Sequence, residues 1–224
     1  LARTDIADHA LQALRQSNIR EVVLLGRRGP AQAAYSNPEF LALGDLTGVD
    51  VVIDDAELDL DPASARAVDT DPATALRVRL AREYAQRPPR AGHRRIVFRY
   101  LAAPHEILGE DRVTGLRIER TALVEDGDRL TARPTGEFED LDAALVLRSI
   151  GYRAVPIPGV PFDDTRGIVP NEGGRVVPGV YVAGWAKRGP NGVIGTNKGC
   201  AKETVAALLA DFDSGALPTP RGDR

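Results

Sequence analysis

The sequence predicts an α/β fold built on a parallel β-sheet. Its early strand-like segments, such as VVLL at residues 22–25, are continuous apolar runs, and helix-like segments separate them. Continuous apolar runs are typical of parallel strands buried on both faces, whereas strands with one wet face alternate apolar and polar residues. Helices that alternate with such strands indicate a parallel sheet.

The first half of the chain supplies the predicted elements of this sheet. They are an opening helix at roughly Asp5 to Gln16, a strand in REVVLLG, a helical turn opened by Pro30, a helix in PEFLALGDL with Pro38 in its first turn, and a second buried strand in GVDVVID. Proline is favoured in the first turn of a helix because its missing N–H would have no partner there. A helical stretch follows from about Pro62 to Arg87, with Leu76, Leu80 and Tyr84 at helical spacing.

The rest of the chain predicts an antiparallel insertion and then a return to strand–helix order. Short strand-like segments from RRIVFRYLAAP (94–104) to GEFEDL (136–141), separated by turns, predict the insertion. AALVLRSIGY (143–152) predicts a buried strand, and the Pro- and Gly-rich residues 155–177 predict a surface connection. GVYVAGW predicts the last strand and GVIGTNKGCAKETVAALLADF the last helix, with Val205, Leu208 and Leu209 on one side.

Composition excludes several classes of protein. The 224 residues are 43% hydrophobic and 27% charged, and the net charge of −3 argues against non-specific nucleic-acid binding. The apolar runs are strand-sized and too short to span a membrane. One cysteine, Cys200, excludes an internal disulfide framework and a cysteine-based metal site, and it fits a reducing compartment, which predicts a cytoplasmic protein. The three histidines, His9, His93 and His105, lack the spacing of metal ligands, and we expect them, like Cys200, to have local structural roles.

The start of the sequence indicates a piece of a longer polypeptide. The chain contains no methionine, and LARTDIADHALQAL reads as the middle and end of a helix. We therefore expect further chain before Leu1.

Two adjacent arginines follow the first predicted strand. Arg27 and Arg28 stand in GRRGP directly after VVLLG. In a dinucleotide-binding unit, arginine near the adenosine ribose accommodates a 2′-phosphate, where an acidic residue would suit the 2′-hydroxyl of NAD. A guanidinium group also holds phosphate in a bidentate manner, which lysine does not. The pattern favours an NADP-type nucleotide, although a solvated pair of arginines at a strand end gives the same pattern.

The closing segment GWAKRGPNGVIGTNKG predicts a ligand-binding corner. Unpaired N–H groups and the positive end of the dipole at the start of its helix favour negative charge. The only tryptophan, Trp185, lies beside Lys187 and Arg188 in this corner. A planar, partly anionic ligand such as a flavin fits these residues, whereas a tight strand-to-helix turn alone would explain the glycines but not the tryptophan.

A basic stretch occupies the middle of the chain. Its members are Arg77, Arg79, Arg82, Arg87, Arg90, Arg94 and Arg95. Such a stretch is usually a solvated face, but in a mildly acidic protein it also suits docking of an acidic partner.

Several of these motifs together resemble one family. GRRGP with Gln32-Ala33-Ala34 and Glu39, HRRIVFRYL, LRSIGYR and above all GWAKRGPNGVIGTN are similar to the adrenodoxin-reductase type of NADPH–ferredoxin reductase, in its bacterial branch. The resemblance runs to about Asp211. It implies a Rossmann-like parallel-sheet NADP domain with an antiparallel β insertion at residues 1–149, incomplete at its N-terminus. Residues 150–224 would then form the C-terminal part of a second Rossmann-like domain, which binds FAD.

The resemblance also implies the site residues. Arg27 and Arg28 match the positions that hold the NADP 2′-phosphate, and Glu39 matches an acidic position assigned to the nucleotide. The flavin contacts match Trp185, Gly192, Val193 and Ile194, with Gly192 also near the nicotinamide. No side chain of this segment is expected to act as a catalytic acid or base, and no metal ligand is expected.

The implied reaction is electron transfer from NADPH through FAD to a ferredoxin-type iron–sulfur protein. The glycine fingerprints of both dinucleotide sites are absent from this sequence, so an isolated fragment is expected to bind NADPH weakly and to hold no stable flavin. Two alternatives remain: a pyridine-nucleotide flavoenzyme of the glutamate synthase small subunit type, and a non-catalytic truncated nucleotide-binding fragment. Many related flavoenzymes end the last strand in Gly-Asp, whereas this chain has Gly184-Trp185.

Overall fold

The computed structural model describes residues 1–127, 129–192 and 194–219. The chain divides into two units, Leu1–Val146 and Leu147–Arg224. The first unit contains α1 (Asp8–Arg15), β1 (Glu21–Gly26), α2 (Asn37–Leu43), β2 (Val49–Ile53), α3 (Pro62–Thr70), α4 (Pro72–Ala85), β3 (Arg94–Tyr100), β4 (Ala102–Leu108), β5 (Gly115–Asp126) and β6 (Arg129–Asp142). The second contains β7 (Arg175–Val177), β8 (Val180–Tyr181), α5 (Trp185–Arg188) and α6 (Ile194–Asp213).

A three-stranded parallel sheet lies at the centre of the first unit. Its order is β1-β3-β2, and β3 pairs in parallel with both neighbours. The α/β class with a parallel sheet is thereby confirmed. The assignment of RRIVFRY to the antiparallel insertion is wrong, because this segment is β3, the central strand of the parallel sheet. A local apolar pattern records burial but not the direction of the neighbouring strands, so it did not distinguish the two arrangements.

Aromatic side chains fill the core between this sheet and helices α2 and α4. Phe40 of α2 meets Tyr84 of α4 and Phe98 of β3 edge to face, with 5.1 Å between ring centroids in each pair. All three side chains are buried. The Tyr84 hydroxyl donates to the carbonyl oxygens of Phe40 and Leu41, at 2.9 and 3.1 Å, which satisfies its polar group inside the core.

The stretch from Pro62 to Arg87 forms two helices rather than one. Asp71 ends α3 and caps α4, because its carboxylate accepts hydrogen bonds from the N–H groups of Ala73 and Thr74. Pro72 has no N–H to continue the hydrogen bonding of α3, and proline disfavours helical backbone at the residue before it. Asp61 and Pro62 start α3 in the same way.

An antiparallel sheet in the order β4-β5-β6 completes the first unit, and the antiparallel insertion is confirmed for residues 102–142. Its buried hydrophobic cluster consists of Ala102, Leu116 and Ile118, against which Leu25 of β1 packs. The pairing of β5 with β6 shifts register between Glu119, which pairs with Phe138, and Thr121, which pairs with Pro134, so the extra residues lie in β6. Irregularities of this kind are common beside functional sites.

Strand β1 is not buried on both faces, contrary to the expectation from its apolar run. Val22 and Leu24 are 51% and 43% exposed, while Val23 and Leu25 on the other face are partly buried. Helix α1 buries no residue. Within the described part of the chain, no element covers this face of β1, and that explains the difference.

Two expected strands of the second half differ in the structure. Residues 143–152 form no strand, and Leu147, Ile150 and Tyr152 are largely exposed. A strand needs a neighbour for its N–H and C=O groups, and no described segment pairs with this run. The expected strand GVYVAGW is reduced to the two-residue β8, which pairs with β7 in antiparallel orientation.

Helix α6 matches the predicted last helix, but it buries a different face. Cys200, Thr204 and Ala207 are buried, whereas Val205, Leu208 and Leu209 are exposed. The helix is fixed to the β7–β8 pair by Asp211, whose carboxylate accepts hydrogen bonds from Arg175 and from the Tyr181 hydroxyl. Residues 155–177 run mainly as loop, as expected, although Ile168 and Val169 are buried within it.

Candidate functional site

The carboxyl ends of three parallel strands meet at one edge of the first unit. Gly26, the last residue of β1, lies opposite Tyr100, the last residue of β3, and β2 ends beside them at Ile53. The segments that follow are the Arg27–Arg28 turn, the 3-10 turn Asp55–Leu58 and the β3–β4 junction at Leu101. Ligands of open α/β sheets bind at this edge, so it is the candidate nucleotide site.

Arg27 and Arg28 are exposed at this edge. Within the described part of the chain, neither guanidinium group forms a hydrogen bond or an ion pair with another side chain. Five N–H donors on each group are thus available to an external acceptor. Adjacent unpaired guanidinium groups at the carboxyl edge of a parallel sheet fit a phosphate group.

The backbone of these two arginines is held more firmly than their side chains. The Thr121 hydroxyl of β5 donates to the carbonyl oxygen of Arg27 at 2.8 Å. The N–H of Leu101 donates to the carbonyl oxygen of Arg28 at 3.2 Å. The turn is therefore ordered from both the antiparallel sheet and the β3–β4 junction.

A buried carboxylate, Glu57, lies beside the same edge. Its side chain is 1% exposed, and one oxygen accepts hydrogen bonds from Arg99 and Arg120, each at 2.8 Å. The other oxygen accepts from the N–H of Tyr100 at 2.7 Å. Both oxygens of this carboxylate are hydrogen-bonded within the protein, so Glu57 has a structural role at the edge.

Two tyrosines close the inner side of the edge. The hydroxyls of Tyr35 and Tyr100 lie 2.5 Å apart. Burial raises the pKa of both tyrosines above the ordinary value, so both remain protonated at neutral pH. Arg77 of α4 donates to the carbonyl oxygen of Ala31 at 3.1 Å and fixes the turn that follows Gly29.

Glu39, predicted to contact the nucleotide, lies in the first turn of α2. It takes part in the N-cap of this helix with Ser36: the Ser36 hydroxyl donates to Glu39 Oε2 at 2.6 Å, and Ser36 Oγ accepts from the Glu39 N–H at 3.4 Å. Glu39 therefore has a structural role in the folded chain, and its contact with the nucleotide stays a prediction.

Much of the basic stretch is already paired. Arg90 binds the carboxylate of Asp50 through its N–H, Nε and Nη2, Arg95 binds Glu21, and the Arg87 guanidinium lies 4.8 Å above the ring of Tyr84. Of the seven arginines, Arg82 and Arg94 are the two whose guanidinium groups form no hydrogen bond, ion pair or ring contact with the described residues. The stretch thus offers less free positive charge than the sequence indicates.

Trp185, predicted to contact the flavin, begins α5 in the second unit. It is 44% exposed and stacks on Tyr152, with 5.6 Å between ring centroids and 25° between planes. A cavity of about 240 Å³ is lined by Tyr152, Arg153, Ala154, Trp185, Ala186 and Pro190. Gly184, before Trp185, has a φ of 70°, which favours glycine, and a Cβ there would meet open space. Stacked aromatic rings beside a guanidinium group and an unfilled backbone position fit a flat, partly anionic ring.

The remaining predicted flavin contacts lie around the start of α6. Gly192 is exposed and has a φ of 87°. A Cβ there would lie 2.6 Å from Thr196 Oγ1, so the position requires glycine. Val193 lies outside the described residues, and α6 begins at Ile194.

Two buried groups join α5 to α6 in the second unit. The Lys187 ammonium group binds Glu203 at 2.7 Å and the Thr204 hydroxyl at 3.2 Å. The thiol of Cys200 accepts a hydrogen bond from the N–H of Gly184 at 3.3 Å. Both contacts fix the backbone around Trp185. Cys200 is buried, as its predicted packing role requires.

A second surface lies on the antiparallel sheet. A cavity of about 550 Å³ is lined by His105, Arg117, Phe138 and Asp140. The Arg117 guanidinium binds Asp140 in a bidentate manner, at 2.7 and 2.8 Å, and His105 contacts the Phe138 ring edge to face. The charges of this surface are satisfied internally, which makes it a weaker candidate site than the sheet edge.

Neither a metal centre nor a membrane helix is found in the described residues. They contain no cluster of three or more His, Cys, Asp and Glu side chains that could hold a metal ion. None of their helices combines the length and apolar character needed to cross a bilayer.

Comparison with known proteins identifies relatives over nearly the whole chain. It is 54% identical over 216 residues to the NADPH-ferredoxin reductase FprA of Mycobacterium tuberculosis, covering 95% of this chain and 47% of the relative. It is 39% identical over 235 residues to the mitochondrial NADPH:adrenodoxin oxidoreductase of Arabidopsis thaliana, covering 96% and 49%. No protein-family model matches the chain.

The fold gives the same result. The structure of Mycobacterium tuberculosis FprA in complex with NADPH superposes with a TM-score of 0.88 at 51% identity, covering 98% of this chain and 50% of the other. The chain is homologous to the NADPH–ferredoxin reductases. It spans about half the length of the curated relatives it matches.

The site of this reductase homologue includes residues that sequence reasoning missed. Thr121 and Leu101 bind the backbone of the two arginines, Tyr152 stacks on Trp185, and Glu57 supports the sheet edge at Tyr100. A local signal exists for Leu101 in HRRIVFRYL and for Tyr152 in LRSIGYR, two of the segments that carry the family resemblance. Thr121 and Glu57 are placed by strand pairing and chain reversal, which a one-dimensional pattern does not record.

Proposed function

We propose that this chain is part of a FAD-dependent oxidoreductase that passes electrons from NADPH to a ferredoxin-type iron–sulfur protein in the cytoplasm. The observation that supports it most directly is the similarity to FprA, at 54% identity in sequence and a TM-score of 0.88 to the structure solved with NADPH. The single free cysteine supports a reducing compartment.

Residues 1–149 bind NADP and residues 150–224 contribute to the FAD domain in this proposal. Arg27 and Arg28 would hold the 2′-phosphate, since they are the unpaired cations at the carboxyl edge of the parallel sheet. Glu39 would contact the nucleotide from the first turn of α2, eleven residues after Arg28. The distinction between NADPH and NADH would then depend on charge-assisted hydrogen bonds.

The second unit would hold the flavin ring. Trp185 offers a half-exposed aromatic face, Gly184 leaves room for close approach, and α6 begins at Ile194, so that the positive end of its dipole lies there. Gly192, Val193 and Ile194 are the further flavin contacts in this proposal. The flavin supplies the conversion between a two-electron donor and a one-electron acceptor. In this proposal the residues of this chain bind and orient the cofactors, and none of them acts as a catalytic acid or base.

Electrostatic attraction would guide the ferredoxin-type partner to this chain. Arg82 and Arg94 are exposed cations without internal partners among the described residues, so they are the members of the basic stretch best suited to an acidic protein. Long-range attraction of this kind raises the association rate and weakens with salt.

The test is cofactor discrimination in the complete protein. Each arginine is replaced, Arg27→Ala and Arg28→Ala, and kcat/KM for NADPH and for NADH is measured with ferredoxin-coupled cytochrome reduction. Hydrogen bonds to charged groups contribute about 1.5–3 kcal/mol, so each replacement should narrow the NADPH preference by about tenfold or more.

The matched control is Arg94→Ala. Arg94 is also exposed and unpaired among the described residues, but it begins β3 and so lies at the opposite edge of the sheet. Its removal should leave the ratio between NADPH and NADH unchanged. An unaltered ratio in the Arg27 and Arg28 variants would contradict the nucleotide assignment, and cytochrome reduction that does not need ferredoxin would contradict the partner.

A further inference from the structure

A buried threonine fixes the backbone of the two unpaired arginines. Thr121 lies in β5, is 6% exposed, and donates through its hydroxyl to the carbonyl oxygen of Arg27 at 2.8 Å. Among the described residues, this is the only hydrogen bond recorded for that carbonyl, and Arg27 is the only recorded partner of the Thr121 hydroxyl. Loss of the hydroxyl would therefore leave this carbonyl without a hydrogen bond to any other described residue.

The regular alternation of β5 aims Thr121 at this carbonyl. Arg120 pairs with Ala102 of β4, so β5 itself is regular here, and the extra residues of the irregularity lie in β6, where the pairing shifts from Glu119–Phe138 to Thr121–Pro134. Successive side chains of a strand point to opposite faces of the sheet. Arg120 accordingly binds the carboxylate of Glu57, and Thr121 binds the Arg27–Arg28 segment.

Leu101 holds the same Arg27–Arg28 turn through its backbone groups. Its backbone has a φ of 52°, a left-handed conformation that is uncommon for a leucine. In this conformation its N–H donates to the carbonyl oxygen of Arg28, while its own carbonyl oxygen accepts from the N–H of Thr121 at 2.8 Å. Thr121 therefore holds Arg27 directly and Arg28 through Leu101.

We infer that Thr121 is a positioning residue that presents Arg27 and Arg28 together to the 2′-phosphate of the nucleotide. Adjacent arginine side chains diverge from an extended backbone and converge on one phosphate only if the backbone between them is held in a turn. A turn ordered before binding loses less conformational entropy on binding than a free one. This inference rests on the proposed NADP function, and it assigns the nucleotide preference to a residue that does not touch the nucleotide.

The test compares two ligands on the complete protein. Dissociation constants for 2′,5′-ADP and for 5′-AMP are measured by titration calorimetry with the wild type, Thr121→Val and Thr121→Ser. Valine keeps the shape and removes the hydroxyl, whereas serine keeps the hydroxyl. We expect Thr121→Val to weaken 2′,5′-ADP binding by about tenfold, as for the loss of one ordering hydrogen bond. Binding of 5′-AMP should be unchanged, and Thr121→Ser should bind both ligands like the wild type.

The mechanism of the effect is tested in the background Arg27→Ala plus Arg28→Ala. If Thr121 acts through the arginines, Thr121→Val should cause no additional loss of affinity for 2′,5′-ADP in that background. A further loss there, or equal weakening of both ligands in the single variant, would mean that Thr121 only supports the fold, and the inference would be overturned.

Other outcomes separate this inference from the proposed function. If Thr121→Val binds 2′,5′-ADP like the wild type while the arginine variant does not, the positioning role is wrong and the nucleotide site stands. If the arginine variant itself binds normally, both are wrong. Thr121→Ala serves as the second variant where thermal unfolding shows that Thr121→Val is unfolded, since alanine removes the same hydroxyl without placing a new methyl group against the carbonyl.

Discussion

Glu57 and Arg99 form an ion pair in the interior of the first unit, with 2.8 Å between Glu57 Oε1 and Arg99 Nε. Arg99 also binds Glu139 of β6 in a bidentate manner, at 2.9 and 2.7 Å. Hydrogen bonding to Glu139 and then to Glu57 raises the pKa of Arg99 above its ordinary value. Carboxylates from the 3-10 turn after β2 and from β6 thus share the guanidinium group of Arg99 in β3, which joins the parallel sheet to the antiparallel sheet.

Loss of the Glu57 charge should destabilise the first unit strongly. Glu57→Gln keeps the shape but leaves Arg99 and Arg120 without their buried counter-charge, and breaking a buried pair costs about 3–5 kcal/mol. Urea unfolding of the complete protein measures the change. Glu139→Gln is the control, because Glu139 is 43% exposed and its loss should cost about 1 kcal/mol or less. Equal losses for the two variants would contradict the role of burial.

Asp50 should make stability depend on acid pH. The backbone N–H of Arg90, followed by the side chains of Arg90 and His93, lowers the pKa of Asp50 to about 2. Since the folded pKa lies below the unfolded value of about 3.9, the carboxylate stabilises the fold above that value and loses its effect as the pH falls toward about 2.

The measurement is the thermal midpoint between pH 7 and pH 2 for the wild type and Asp50→Asn. The difference between them should be largest above about pH 4 and shrink below it. Asp59→Asn is the control, because Asp59 is exposed and has no side-chain partner among the described residues. A difference that grows on acidification would contradict the sign of the pKa shift.

The two roles of Glu39 can be separated by a pair of variants. Glu39→Gln removes the charge but keeps the N-cap, since the backbone N–H still donates to Ser36 Oγ and the amide oxygen can still accept from the Ser36 hydroxyl. Ser36→Ala removes the cap and keeps the charge, at a cost of about 1 kcal/mol. If Glu39 contacts the nucleotide, Glu39→Gln should change the Kd of NADP without changing the unfolding midpoint, and Ser36→Ala should do the reverse. An unchanged Kd in the Glu39→Gln variant would contradict the nucleotide contact, and helix capping would be the only role of Glu39.

Ferredoxin-coupled turnover should fall steeply with ionic strength. Screening shortens the range of electrostatic attraction to about 8 Å at physiological salt and about 3 Å at 1 M. Arg82→Glu should lower kcat/KM for ferredoxin at low salt and flatten the salt profile, while NADPH-dependent reduction of ferricyanide stays unchanged. A flat salt profile in the wild type would contradict docking by charge.

The sequence predicts the local elements of the sheet edge and not its assembly. The apolar runs of β1 and β2, Pro30, and Pro38 in α2 are local signals, and the structure has each element where it was expected. The direction of β3 and the end of the helical stretch at Asp71 were not expected. Strand direction depends on partners far along the chain, and Asp-Pro at a helix start competes with an otherwise continuous helical pattern.

The candidate site shows the same division. The position of Arg27 and Arg28 after a buried strand follows from the order of residues, so the sequence predicts it. The contact from Thr121 joins residues 94 positions apart in the chain, and such a long-range contact has no signature in a local apolar pattern. Burial of β1 on both faces and of the run at 143–152 was expected wrongly, because hydrophobicity shows what a segment would bury but not which segment covers it.

The strand order β1-β3-β2 has a consequence for how the chain folds during its synthesis. In the described structure, β1 and β2 each pair with β3 and with no other strand, and β3 begins only at Arg94. A nascent chain that has not yet emerged past this residue cannot form the β1–β3 or the β2–β3 ladder. Its Val22–Leu25 and Val51–Ile53 segments then lack the partner that they have in the folded chain, and unpaired apolar segments favour aggregation. Translation through the helices α3 and α4 therefore separates the synthesis of β1 and β2 from the synthesis of the strand that joins them.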